Sequence, residues 1–272
     1  MSNRINWKAT ILLILGTIFI LFPLYLTVII AFKTPQEMSG NILALPESWG
    51  FDNFIKAIEV TNFFNALGNS VFVTILTVII VILTHSLVAY AIARNLHKKF
   101  YKFLYFYFIS AMFIPFPIIM LPLVLQTSSW GMDNLVGLGI LNGVMHLAFN
   151  VFIYVGYVKT LPIELEEAAI IDGANTFQVF WKIIFPMMKP MHATVAILTA
   201  LAAWNDFMLP LVILSDSSMY TLPLVQYAFQ GQFSTDYNLA FASYLLAMLP
   251  MVVLYVFVQK WIIGGVMRGS LK

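Results

Sequence analysis

The 272 residues are 61% hydrophobic and 10% charged, with a mean hydropathy of +0.90, whereas a soluble domain carries about 25% charged residues. Such a composition belongs to an integral membrane protein. A net charge of +2, with the bases split among separate segments, forms no stripe for nucleic acid, and the absence of cysteine excludes disulfides, thiolate metal sites and cysteine nucleophiles.

Residues 9–32 carry no charge and are long enough to cross a hydrocarbon core of about 30 Å. They follow Arg4 and Lys8 as a signal peptide would. The apolar run exceeds the usual span of about 7 to 15 residues and lacks a small-residue cleavage site, so it reads as a retained first span. Residues 33–67, with Pro35, Gly40, Pro46 and Gly50, form a turn-rich outer connection with a short helix around Asn53 to Glu59. A second span at 70–93 ends in the basic cluster Arg94, Lys98, Lys99 and Lys102.

The third span, 103–125, contains Pro115, Pro117 and Pro122, so neighbouring helices must satisfy the carbonyls these prolines free. In the fourth, 138–158, Asn142, His146 and Asn150 recur at spacing four and share one face. That face is expected to point into protein, since unpaired polar groups in lipid are costly. The fifth span, 193–214, carries Asn205, Asp206 and Pro210. Asp206 sits roughly 20 Å from its inner end, where a charge must face protein or water. An outer loop, a sixth span at 239–263 and a short basic tail complete the chain.

Between the fourth and fifth spans, residues 160–190 read as helix, turn, helix. Pro162 suits a first helical position, and Glu164, Glu166 and Glu167 set negative charge against the positive end of the helix dipole. Gly173 ends this helix, Asn175 or Thr176 caps a second, and Pro186 with Pro190 stops it. Ala168, Ala169, Ile170 and Ile171 are apolar on every side, while Phe177, Phe180, Trp181 and Ile184 form a stripe. Both faces need cover. The adjacent spans can bury one, and the surplus points to a second protein, an internal packing element being the alternative.

Charge orients the spans. With both termini in the cytoplasm, twelve of the fourteen bases lie on inner segments and only Lys33 and Lys56 lie outside, which puts the 160–190 loop inside. No GxxxxGK[ST] or HExxH motif occurs, and His85, His97, His146 and His192 are scattered. No catalytic residue, metal site or cofactor is therefore expected on this chain.

Glu167, Ala168 and Ala169, then Gly173, then Ile183 and Pro186, resemble the EAA signature of binding-protein-dependent ABC importers, with Phe185 where the signature usually has Leu. Asp172, Gly173 and Ala174 resemble its carbohydrate-permease form, and the span count resembles the maltose-type permease subunits. The resemblance implies an all-α integral membrane fold of six transmembrane helices, of ABC importer permease type, in a bacterial plasma or inner membrane. It implies that the loop is a coupling helix seated in a cleft of an ATPase subunit. It further implies two ATP-binding subunits that carry ATP and magnesium, a second homologous permease subunit, and an extracellular or periplasmic solute-binding protein delivering a sugar or oligosaccharide. Asn142, His146, Asn150, Asn205 and Asp206 are the candidate pathway residues. The competing reading is an ion-coupled secondary transporter of a small polar solute using Asp206, His85 and His146, which leaves residues 160–190 without a purpose.

Overall fold

The computed structural model describes residues 6–229 and 236–270, Ala228 and the stretch 257–270 by their backbone alone. Arg4 and Lys272 of the charge count, and the side chains of Lys260 and Arg268, lie outside what is described. All regular structure among the described residues is helical. The principal helices are α1 (Trp7–Phe32), α2 (Asp52–Val60), α3 (Phe63–Asn95), α4 (Lys99–Phe113), α5 (Phe116–Ser129), α6 (Leu135–Val158), α7 (Glu164–Ile171), α8 (Thr176–Met187), α9 (Lys189–Trp204), α10 (Met208–Ile213) and α11 (Tyr237–Ser270).

In α1, α3, α6 and the Tyr237–Val256 part of α11, length and hydropathy suffice to cross a membrane. Two bent pairs, α4 with α5 at 104° and α8 with α9 at 74°, bring the count to six if each is one span. The third expected span is therefore not one straight helix. Its break has a local cause: Pro115 lacks an N–H, and its ring drives Ile114 out of the helical region to ψ 112°. The fifth expected span also differs, since α9 stops at Trp204 and helix resumes at Met208. Within α3, Val81–His85 winds as a π-helix.

The chain divides into two compact units. The first comprises Met1–Phe64 and Val225–Leu254, with a small core of Ala31, Ala57, Phe229, Ala240 and Ala242. Lys33, counted from sequence as an external charge, is 1% exposed here. Its Nζ donates to the carbonyls of Asn41 at 2.7 Å and Ile42 at 3.0 Å, and Asn53 and Asn238 donate to its own carbonyl. A buried ammonium is tolerable only with such partners, so Lys33 is a loop tie. Nearby, Thr34 and Glu37 form a capping box. The Glu37 carboxyl is held below the ordinary 4.5, chiefly by the backbone N–H of Glu47 and then by that of Thr34.

The second unit comprises Asn65–Leu224 and Tyr255–Lys272. Its larger core joins α3, α6, α8 and α9 through residues such as Ala89, Val151, Tyr154, Phe180 and Val195. Helices α3 and α6 approach closely because Gly139 offers no side chain: Thr77 Oγ1 donates to the Gly139 carbonyl at 3.2 Å, and a Cβ on Gly139 would lie 2.7 Å from a Leu76 methyl and 3.0 Å from its Cγ. Gly139→Val is expected to overpack this contact and destabilise the protein by about 1–3 kcal/mol. A thermal shift of the detergent-purified protein measures this; an unchanged melting temperature would refute close packing at Gly139.

Candidate functional site

Two regions of the second unit gather the chemistry-bearing residues, the 160–190 loop and a cavity beside the fourth and fifth expected spans. The loop is helix, turn, helix. Helix α7 begins at Glu164, two residues after Pro162, so the proline precedes the helix rather than opening it. Asp172 is the C-cap, and Gly173 takes φ +88°, a conformation side chains disfavour, although a Cβ there would meet no atom of this chain within 4 Å. Asn175 caps α8 with a reciprocal capping box to Gln178.

The loop has a buried and an exposed face, but the expected stripe divides between them, since Phe177 falls on the exposed side while Phe180 and Ile184 are buried. Val179, Phe180, Ile184 and Met188 are buried in the core. Glu167, Ala168, Asp172, Gly173 and Pro186 are exposed, Ala169, Ala174 and Ile183 are partly buried, and Ile171 and Phe177 stand 85% and 66% exposed. Apolar side chains, Ile170 among them at 57%, thus remain uncovered on this surface.

Sequence reading missed the residue that anchors α7. Glu166, read as one of three equivalent dipole charges, is 6% exposed. Its Oε1 accepts from Arg94 Nε and pairs with Arg94 Nη2, each at 2.6 Å, and its Oε2 accepts from Tyr90 OH at 2.7 Å. Arg94 Nη2 also donates to the Leu161 carbonyl at 3.1 Å. Three donors on one buried carboxylate bind α7 to the end of α3, and removing one member of such a pair costs about 3–5 kcal/mol. The Tyr90 ring lies 5.2 Å from that of Phe180, so it touches α8 as well.

A second tie joins the end of α8 to the span that follows. His192 Nε2 is 3.1 Å from the Phe185 carbonyl, which can only accept, so Nε2 carries the proton and Nδ1 accepts from Tyr154 OH at 2.8 Å. His192→Phe is expected to keep the ring packing on Phe185 and Tyr154 while stranding a buried hydroxyl and a carbonyl, a loss of about 1–3 kcal/mol for each unsatisfied group. Denaturant or thermal unfolding measures it, and wild-type stability would mean that the hydrogen bonds contribute nothing.

The cavity, about 730 Å³, is lined by Tyr107, Phe108, Ile114, Phe116, Asn142, His146, Asp206 and Met208 among others. Three of the five candidate pathway residues thus meet there. His146 Nδ1 donates to the Asn142 carbonyl at 2.7 Å, leaving Nε2 as the acceptor of the neutral ring. The Asn142 amide is buried, and neither its N nor its O has a partner. Asp206 Oδ1 accepts from Leu209 N at 3.2 Å, tying the start of α10, and Asn205 Nδ2 donates to the Leu201 carbonyl at 2.8 Å, tying the end of α9. Asn205 itself does not line the cavity. Nor does Asn150, which faces His85 and donates to Thr199 Oγ1 at 3.2 Å. Among the described residues, no group of three or more His, Asp or Glu is arranged to hold a metal ion.

Comparison with known proteins adds to this geometry. The permease protein MsmG of the multiple sugar-binding transport system of Streptococcus mutans serotype c is 42% identical over 276 residues, covering 100% of this chain and 99% of that one. AmyC of Thermoanaerobacterium thermosulfurigenes, described as a probable starch degradation products transport system permease protein, is 32% identical, covering 99% of each chain. The crystal structure of a bacterial ABC transporter involved in the import of the acidic polysaccharide alginate contains a chain of the same fold, with a TM-score of 0.81 at 23% identity over 95% of this chain and 97% of that one. Residues 85–268 match the family described as the binding-protein-dependent transport system inner membrane component. The chain is a multi-pass membrane protein that belongs to this family.

Proposed function

We propose that this chain is a permease subunit of an ATP-driven importer of a sugar or oligosaccharide, and that it forms half of the translocation pathway and couples to a separate ATPase. The observation that carries the reading is the exposed α7 turn. It sets Glu167, Ala168, Asp172 and Gly173 beside the uncovered Ile171 and Phe177 on a rigidly anchored helix. Relatives named for sugar transport over their full length support the substrate class. In this reading the small Ala168 and Ala169 let an ATPase subunit approach closely, Glu167 meets a base on it, and Ile183 and Pro186 hold the second arm. ATP and magnesium act on that partner. A second permease subunit completes the pathway, and a solute-binding protein outside the cell delivers the sugar.

The cavity containing Asn142, His146 and Asp206 is this chain's share of the pathway: an unpartnered amide and an acceptor imidazole suit hydroxyl groups, and the aromatic wall suits the apolar face of a sugar ring. Asn150 and Asn205 have a different part here. They hold helices to each other and close the end of α9, and so shape the pathway from behind.

Gly173→Asp combines a strained backbone with a charge in the contact. It is expected to insert normally while ATPase recruitment falls about tenfold or more, equivalent to ~1.4 kcal/mol of interface. Pull-down of the ATPase and sugar-stimulated ATP hydrolysis measure this, and wild-type values for both would sink the docking role. The topology is tested separately. In the cysteine-free chain, single cysteines replacing Ser48 and Ser217 should react with an impermeant thiol reagent in intact cells, and those replacing Lys98 and Ser270 should not. Labelling at position 98 would overturn the cytoplasmic assignment of the loop.

A further inference from the structure

The ion pair between α7 and α3 lies on the buried side of α7, behind the exposed docking residues, where it anchors the helix and touches no partner subunit in the docking reading. Its partners are 72 residues apart in the chain, yet Glu166 receives two hydrogen bonds and a further ion-pair contact from two side chains of α3. Tyr90 lies against both arms of the loop, through Glu166 in α7 and through Phe180 in α8. Arg94 also holds the Leu161 carbonyl, which fixes the segment leading into α7. Among the described residues, the long-range side-chain contacts that locate α7 and the segment before it converge on one turn of α3, at Tyr90 and Arg94. That same helix carries the π-helical stretch Val81–His85, and Asn150 of α6 faces His85 while donating to Thr199 of α9.

A docking helix that carries force must be held by something stiffer than apolar contact, which slides. A charge-assisted fork resists both translation and rotation because it fixes direction as well as distance. We propose that Glu166, Arg94 and Tyr90 form the strut through which displacement of α7 by an ATPase subunit is delivered to the membrane-spanning helix α3. They are positioning residues for coupling and make no contact with solute or nucleotide. The inference rests on the permease reading above. Its consequence is a specific defect. Without the strut, the loop still docks and the ATPase still turns over, but the motion is lost between α7 and α3.

The experiment uses the whole complex, purified through a tag on this chain and reconstituted with its binding protein in proteoliposomes, with maltotriose and raffinose as probes. Glu166→Gln, which keeps shape and loses charge, and Tyr90→Phe, which removes one hydroxyl, are each compared with wild type for complex yield, sugar-stimulated ATP hydrolysis and sugar transported per ATP. The expected result is a lowered yield for Glu166→Gln and a near-normal one for Tyr90→Phe, with, per assembled complex, at least about half of the stimulated hydrolysis and transport per ATP lowered about tenfold for Glu166→Gln and less for Tyr90→Phe. Arg94→Cys with Glu166→Cys, joined by a short bifunctional thiol reagent, should regain transport per ATP relative to the unjoined pair.

A merely structural role would lower yield and leave the ratio per assembled complex unchanged. That outcome overturns the strut, as does a parallel loss of hydrolysis and transport, or a bridged pair no better than the unbridged one. If Glu166→Gln does not accumulate, Tyr90→Phe and the bridged pair decide. Failure of the sugar reading is distinguishable, because neither probe would then stimulate hydrolysis in the wild-type complex.

Discussion

A backbone amide within hydrocarbon has no water to bond, so a chain that crosses a membrane must satisfy every peptide group internally and can leave the helix only where protein or a cavity receives the ends. This constraint organises the second unit. Two of its interruptions, at Ile114–Pro115 and at Asn205–Phe207, lie in expected spans that are otherwise mostly apolar, and both border the same cavity. Asn205 and Asp206 carry the local repair by bonding the backbone on either side of the second break. Their polarity thus has a structural cause before it has a functional one, and at Asp206 the two coincide, since that residue bonds the backbone at the break and also lines the cavity.

Much of this was legible from the residues. The long uncharged runs require helices of spanning length, and α1 and α6 begin within three residues of where hydropathy puts them, whereas α3 begins at Phe63, seven residues before the expected start and inside the expected outer connection. The turn at Gly173 and the cap at Asn175 follow from local rules whose participants lie within four residues of one another. Proline at 115 announced a perturbation without saying whether it would bend or break the span. The answer depends on what packs against it, and local sequence holds no record of that.

What was not legible has one cause, distance along the chain. Glu164, Glu166 and Glu167 occupy a single turn, and nothing local separates the buried one from its exposed neighbours; only Tyr90 and Arg94, folded back from α3, single out Glu166. Lys33 gained a role that its charge alone did not announce. A lysine at the edge of a span reads as an exposed orienting charge, yet it lies against carbonyls of the following loop. Asn150 shares a helical face with Asn142 and His146 but is turned by its neighbours into a buried hydrogen bond, so spacing alone grouped residues that tertiary packing divides.

The fork between Glu166 and Arg94 also bears on how such proteins can be recombined. The exposed loop looks like a detachable module, self-contained in its caps and short enough to graft. It is not one. Its orientation is written partly in Tyr90 and Arg94, a whole helical hairpin upstream, and a loop moved into another permease without a matching acceptor would arrive with a buried, unpaired carboxylate. Loop and acceptor are therefore heritable as a unit, and a chimaera whose crossover falls between residues 94 and 166 divides it.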